Sequence, residues 1–105
     1  MGQPIPVQGK LPNPVADILS PTVGCKVTFF RLINTSGAAV AITLAVRAIG
    51  GVVCNLVPAA FLLNAGYTLD VVDPGETLDL CQGEAVTGLA ATAGVIDYRI
   101  NAIPI

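Results

Sequence analysis

The sequence predicts an all-β fold: a single β-sandwich or jelly-roll-like domain of about 7–8 short antiparallel strands, preceded by an extended proline-rich arm. Three observations predict it. Strand-forming residues recur in short alternating runs, turn residues interrupt them every 8 to 12 positions or so, and no apolar period of 3.6 residues lasts three turns. With 105 residues the chain has room for one core and not for two.

Residues 1–22 hold five of the eight prolines, Pro4, Pro6, Pro12, Pro14 and Pro21, spaced against a helix or a central strand. Ile5, Val7, Leu11, Val15, Ile18 and Leu19 are nonetheless apolar, which a free solvated tail does not favour. The expectation is an extended arm, polyproline-like in parts, that lies along its own domain or a neighbour and uses these six residues as its interface. A disordered tail is the competing expectation, and "PVADILS" has residues for one helical turn.

Residues 23–105 form the expected sandwich. Lys26 to Asn34, "KVTFFRLIN", is rich in β-branched and aromatic side chains. Asn34-Thr35-Ser36-Gly37 supplies turn chemistry, since Asn, Ser and Gly bond locally to the backbone or tolerate positive φ. Asn34-Thr35-Ser36 also matches the glycosylation sequon, but with no secretory signal in view the turn is the better reading. Val40 to Val46 alternates, with Val40, Ile42, Leu44 and Val46 facing the core and Ala41, Thr43, Ala45 and Arg47 facing the other way. Gly50-Gly51 breaks that run, Val52 to Val57 is a short strand ended by Pro58, and Ala60 to Val72 holds a strand or two. Asp73-Pro74-Gly75-Glu76 has the residues of a type II turn before the strand "TLDLC". Gln82-Gly83-Glu84 is another turn, Ala85 to Ala93 is weakly patterned, and the last run points Ile96, Tyr98 and Ile100 inward.

Composition narrows the function. Five basic and seven acidic residues leave a net charge of −2, too little positive charge for a nucleic-acid partner. Charged residues make up 11% of the chain against roughly 25% in ordinary globular proteins. A small free monomer has a large surface to hydrate, so much of this one is expected to be covered by neighbours. The most apolar window, Ala48 to Ala65, contains two glycines, an asparagine and a proline, which argues against a spanning helix. Position 6 is Pro6 where a myristoylation pattern wants Ser or Thr.

Catalytic chemistry is not expected, and neither is a cofactor. Histidine is absent, no G-x-S-x-G or phosphate-loop motif occurs, and Cys25, Cys54 and Cys81 have no metal-site spacing. The odd count of thiols suits buried, reduced cysteines and assembly in a reducing cytoplasm. Asp70, Asp73, Glu76, Asp79 and Glu84 form an acidic cluster that a calcium ion would find attractive. It lacks a D-x-D-x-D pattern, and solvent-facing strand and turn positions account for it.

The runs "VTFFRLINTSGAAVAITLAV", "PAAFLLNAGYTLDV" with "PGETLDL", and "GVIDYRINAIPI" resemble small virion proteins of tailed bacteriophages, over about residues 23–105. One departure is "GEAVTGLAATAG", where such chains often carry a GD-x-I turn. The resemblance implies a non-enzymatic capsid decoration (cement) protein on the virion surface. It would be a homotrimer bound to the major capsid protein and assembled in the host cytoplasm. A tail, fibre or spike module, carbohydrate-binding or not, is the first alternative, and a cellular adhesion or ligand-binding sandwich the second.

Overall fold

A computed structural model describes residues 5–58, 60–72 and 75–104 of the chain. Among them are ten strands and no helix: β1 (Ile5–Lys10), β2 (Ala16–Leu19), β3 (Cys25–Asn34), β4 (Val40–Arg47), β5 (Val53–Asn55), β6 (Phe61–Leu63), β7 (Thr68–Val72), β8 (Leu78–Leu80), β9 (Ala85–Ala90) and β10 (Ile96–Pro104). Eight of these lie in residues 23–105. The other two, β1 and β2, fall within the segment expected as an arm.

The strands make two antiparallel sheets. In the first the order is β1-β10-β3-β7, with β8 also on β3; in the second it is β2-β9-β4-β5, with β6 also on β4. β7 pairs with residues 30–33 of β3 and β8 with residues 25–27, so the two follow one another along the same edge. β5 and β6 do the same along β4. Each sheet is therefore four strand lines wide, and its outermost line on one side is broken by an excursion. The N-terminal pair β1/β2 lies beside the C-terminal pair β10/β9, one strand of each in each sheet. That winding is a jelly roll, two Greek keys wrapped into a sandwich.

Alternation puts the core where the sequence suggests. Val40, Ile42 and Leu44 of β4, and Ile96, Ile100 and Ala102 of β10, are buried between the sheets, with Tyr98 half-buried against them. On β3 the inward residues are Val27, then Phe30 and Leu32, skipping one position. A bulge opposite Asn101 and Ala102 absorbs the extra residue and restores the inward face.

The helical turn considered for "PVADILS" does not form. Ala16–Leu19 instead pairs with β9, and a register shift between Asp17 and Leu19 lets both Ile18 and Leu19 point inward. Edge pairing to β9 outweighs the local helical tendency. Gly88 of β9 makes room for this: a Cβ there would sit 2.8 Å from Leu11 Cδ2 and 3.3 Å from Ile18 Cδ1. Of the "DPGE" turn, Asp73 and Pro74 lie outside the described residues; Gly75 has φ +85°, the left-handed region that glycine enters without strain.

Candidate interaction surfaces

The "NTSG" stretch is built into the fold rather than offered to a ligand. Asn34 is fully buried at the end of β3. Its amide donates to the Ala38 and Leu63 carbonyls, both at 2.8 Å, and its side-chain oxygen accepts from Ser36 N at 2.9 Å and Ser36 Oγ at 2.7 Å. Its backbone adds two bonds, Asn34 N to Tyr67 O and Gly66 N to Asn34 O, both 3.0 Å. Every hydrogen-bonding group of the residue is used, and the turn is tied to the loop between β6 and β7. The nitrogen a glycan would need is inaccessible in the folded chain.

The six residues expected at an arm interface are divided. Leu11, Ile18 and Leu19 are buried in the chain's own core, and Val7 is half-buried against it. Val15 is exposed, while the side chain of Ile5 lies outside the described residues. Pro12 and Asn13, between β1 and β2, are fastened to the end of β9. Ala90 N donates to Pro12 O at 3.0 Å, and the Asn13 amide donates to Ala90 O at 3.0 Å.

Nor does the acidic cluster converge. Asp70 faces out and accepts from Arg31 Nε at 2.9 Å, Glu84 accepts from the Cys81 amide at 2.7 Å, and Glu76 and Asp79 are exposed. Asp73 lies outside the described residues. Among those described, no three acidic or sulfur ligands gather into a cation site. Cys25 is buried, and that burial, with Asp79 nearby, pushes its thiol pKa up; Cys54 and Cys81 are exposed. The expectation of buried thiols thus holds for one of the three, because Cys54 lies on the short edge strand β5 and Cys81 in the turn after β8.

The two outer faces differ sharply in charge. The strands of the first sheet carry Lys10, Lys26, Arg31, Arg99, Asp70, Asp79 and Asp97; those of the second carry only Asp17 and Arg47. That pair is a two-pronged bridge, with Arg47 Nη1 and Nη2 at 2.7 and 2.9 Å from the two Asp17 carboxylate oxygens. The guanidinium holds the Asp17 carboxyl below its usual range. The rest of the second sheet's outer face is uncharged and largely small or apolar, with Ala41, Thr43 and Leu89 on its inner strands and Asn55 on edge strand β5. Leu62 on β6 is 61% exposed, and Val53 on β5 is exposed toward the other end of the same edge, opposite Arg47 where Leu62 is opposite Ala41. Ile49, 69% exposed at the tip of the β4–β5 hairpin, extends this apolar border with Val52.

The first sheet's outer face is polar and hollowed. A groove of about 700 Å³ runs over β1, β10 and β3, lined among others by Gln8, Lys10, Phe29, Arg31, Asp97 and Arg99.

No family model matches this chain, and no curated protein matches it. Among solved structures it is similar to two crystal structures of a pentameric capsid protein isolated from metagenomic phage sequences. Each shares 14% sequence identity with it at a TM-score of 0.42 and covers 95% of this chain. The chain covers 65% of the first and 60% of the second, less than two thirds of their length.

Sequence alternation alone placed Thr43, Ala45 and Arg47 on the face opposite the core, and the register agrees, although Ala45 is buried at 2% exposure between Asn55 and Thr87. It gave no sign of the groove. The row Gln8, Arg99, Arg31, Asp70 crosses four strands drawn from residues 8 to 99, and only the strand order makes them neighbours.

Proposed function

We propose that this chain is a non-enzymatic structural protein of a bacteriophage virion, a capsid decoration (cement) protein that packs against copies of itself and against the major capsid protein. The observation that carries this reading is the unequal charge of the two faces. A sheet surface of alanine, threonine and leucine with exposed Leu62, Val53, Ile49 and Val52 on its border is a poor surface for water and a good one for close packing. The low overall charge and the resemblance to small phage virion proteins support it. Jelly rolls serve both as capsid and as lectin domains, so the fold by itself does not choose between them.

In this reading the copies form a trimer about a three-fold or quasi-three-fold axis, with the second sheet turned to a neighbour. Among the described residues, contact by the N-terminal segment runs through Val15 and the exposed residues around it, because Leu11, Ile18 and Leu19 are committed to the chain's own core. The polar groove favours the second reading, a tail, fibre or spike module. Copy number separates the two. Quantitative mass spectrometry of purified particles is expected to find this chain in numbers comparable with the major capsid protein. A count of a few copies per particle would assign it to the tail. Leu62→Asp, at an exposed position, is expected to lower occupancy on particles without changing the monomer's fold.

A further inference from the structure

The groove on the first sheet holds a charge that has no ionic partner among the described residues. Arg99 lies directly opposite Arg31 across β10 and β3, and like charges in that relation repel. Arg31 is neutralised by Asp70 at 2.9 Å and stacks over the Phe29 ring, 5.0 Å from its centroid. Lys10 is paired with Asp97. Arg99 has no carboxylate within ion-pair distance among the described residues, and its neighbour on the other side is the neutral Gln8. One guanidinium is left unneutralised in a groove of about 700 Å³.

The complementary charge is on the far edge of the same sheet. Glu76 and Asp79 are exposed and make no ion pair among the described residues. Lys26 faces Asp79 across β3 and β8 but lies outside ion-pair distance. Neither carboxylate can reach Arg99 of its own chain. From the Arg99–Arg31 row to the Lys26–Asp79 row is five residues along β3 and two strands across, about 17 Å by about 10 Å.

We infer that the groove receives the Glu76–Asp79 edge of a second copy, whose carboxylates close on the Arg99 guanidinium by charge-assisted, fork-shaped hydrogen bonds. This deepens the proposed function and rests on its premise that copies pack together. The contact is head-to-tail: groove and edge are different surfaces, so each copy both gives and receives, and a suitable rotation closes the set into a ring. It lies on the opposite face from the apolar second sheet, so the two contacts do not compete for the same surface.

Light scattering and sedimentation velocity of the full chain, at low and high salt, test the inference. R99E is expected to raise the dissociation constant of self-association by roughly tenfold or more, as is E76R/D79R. The triple variant R99E/E76R/D79R is expected to regain it, and an equal mixture of the two parent variants to regain pairwise association without closing a three-membered ring. All three positions are exposed, and R99E removes a repulsion with Arg31, so the monomer keeps its fold. A wild-type oligomer insensitive to R99E and to salt would overturn this contact while leaving packing through the second sheet intact. A wild-type chain that stays monomeric at every concentration and is absent from particles would overturn both.

Discussion

Asn34 concentrates more of the fold's polar order than any other side chain described, and replacing it with alanine has a cost that the structure lets us work out. Four side-chain hydrogen bonds disappear, two donated to Ala38 O and Leu63 O and two accepted from Ser36. The bond to Leu63 O is buried, and losing it together with the atoms that fill that site costs about 1–3 kcal/mol. The other three are nearer solvent, and water replaces much of what they lose, so together they add about 1 kcal/mol. The sum is about 2–4 kcal/mol, a large part of the ~5–15 kcal/mol that stabilises a typical domain. At about 4–8 °C per kcal/mol, the melting temperature falls by roughly 8–32 °C. Thermal unfolding followed by circular dichroism measures it. Asn34→Asp sharpens the test. The carboxylate keeps the bonds from Ser36 but turns a charged oxygen toward two carbonyls, so the folded state favours the protonated acid and raises its pKa. Stability of that variant is then present below the ordinary aspartate pKa of about 4 and is lost as pH rises through the raised folded value. If Asn34→Ala melts within a degree or so of wild type, or if Asn34→Asp follows the wild-type pH profile, the hub described here is wrong.

Three further outcomes follow from other parts of the molecule. Gly88→Ala is expected to cost about 1–3 kcal/mol in urea unfolding, because its methyl would meet Leu11 at 2.8 Å in a filled core; unchanged stability would mean that Leu11 and Ile18 move freely. A maleimide applied to the native protein near neutral pH should modify Cys54 and Cys81, with Cys25 reacting only after denaturation; mass spectrometry counts the adducts. Asp17 has a depressed folded pKa, so its bridge to Arg47 contributes above the usual value of 3.8 and the contribution is lost as pH falls through the lower folded value. The bridge is solvent-screened and its effect small, so Asp17→Asn should differ slightly from wild type at neutral pH and low salt, and not at all at pH 2 or so.

The sandwich was legible because its signals are local. Alternation in β4 and β10 and the glycine and asparagine turns are written in neighbouring residues, and the structure keeps them. The fates of Leu11, Ile18 and Leu19 were not legible. Their burial depends on β1 meeting β10 and β2 meeting β9, pairings between the two ends of the chain that no local pattern encodes. The prolines point to an extended, non-central course, and edge strands satisfy that condition. For the acidic cluster, the missing ligand pattern already favoured solvent-facing strand and turn positions. The break between β7 and β8 strings Asp70 and Asp79 along an edge in that way. Arg99 and Arg31 were each readable as outward, but only the register makes them neighbours.

The pairing of the two chain ends has a consequence for synthesis. β9 and β10 are the inner strands of their sheets, and β1 and β2 have no other sheet partners. A nascent chain emerging at about 5–20 residues per second therefore holds the apolar residues of β1 and β2 without a core until β9 and β10 have left the ribosome. A polypeptide cut short before residue 96 has a gap through the middle of the first sheet, not a frayed rim. Such a product cannot form the first sheet's groove and has an incomplete sandwich behind the apolar face. The topology thus acts as a check on synthesis, since only a chain translated through β10 completes both sheets.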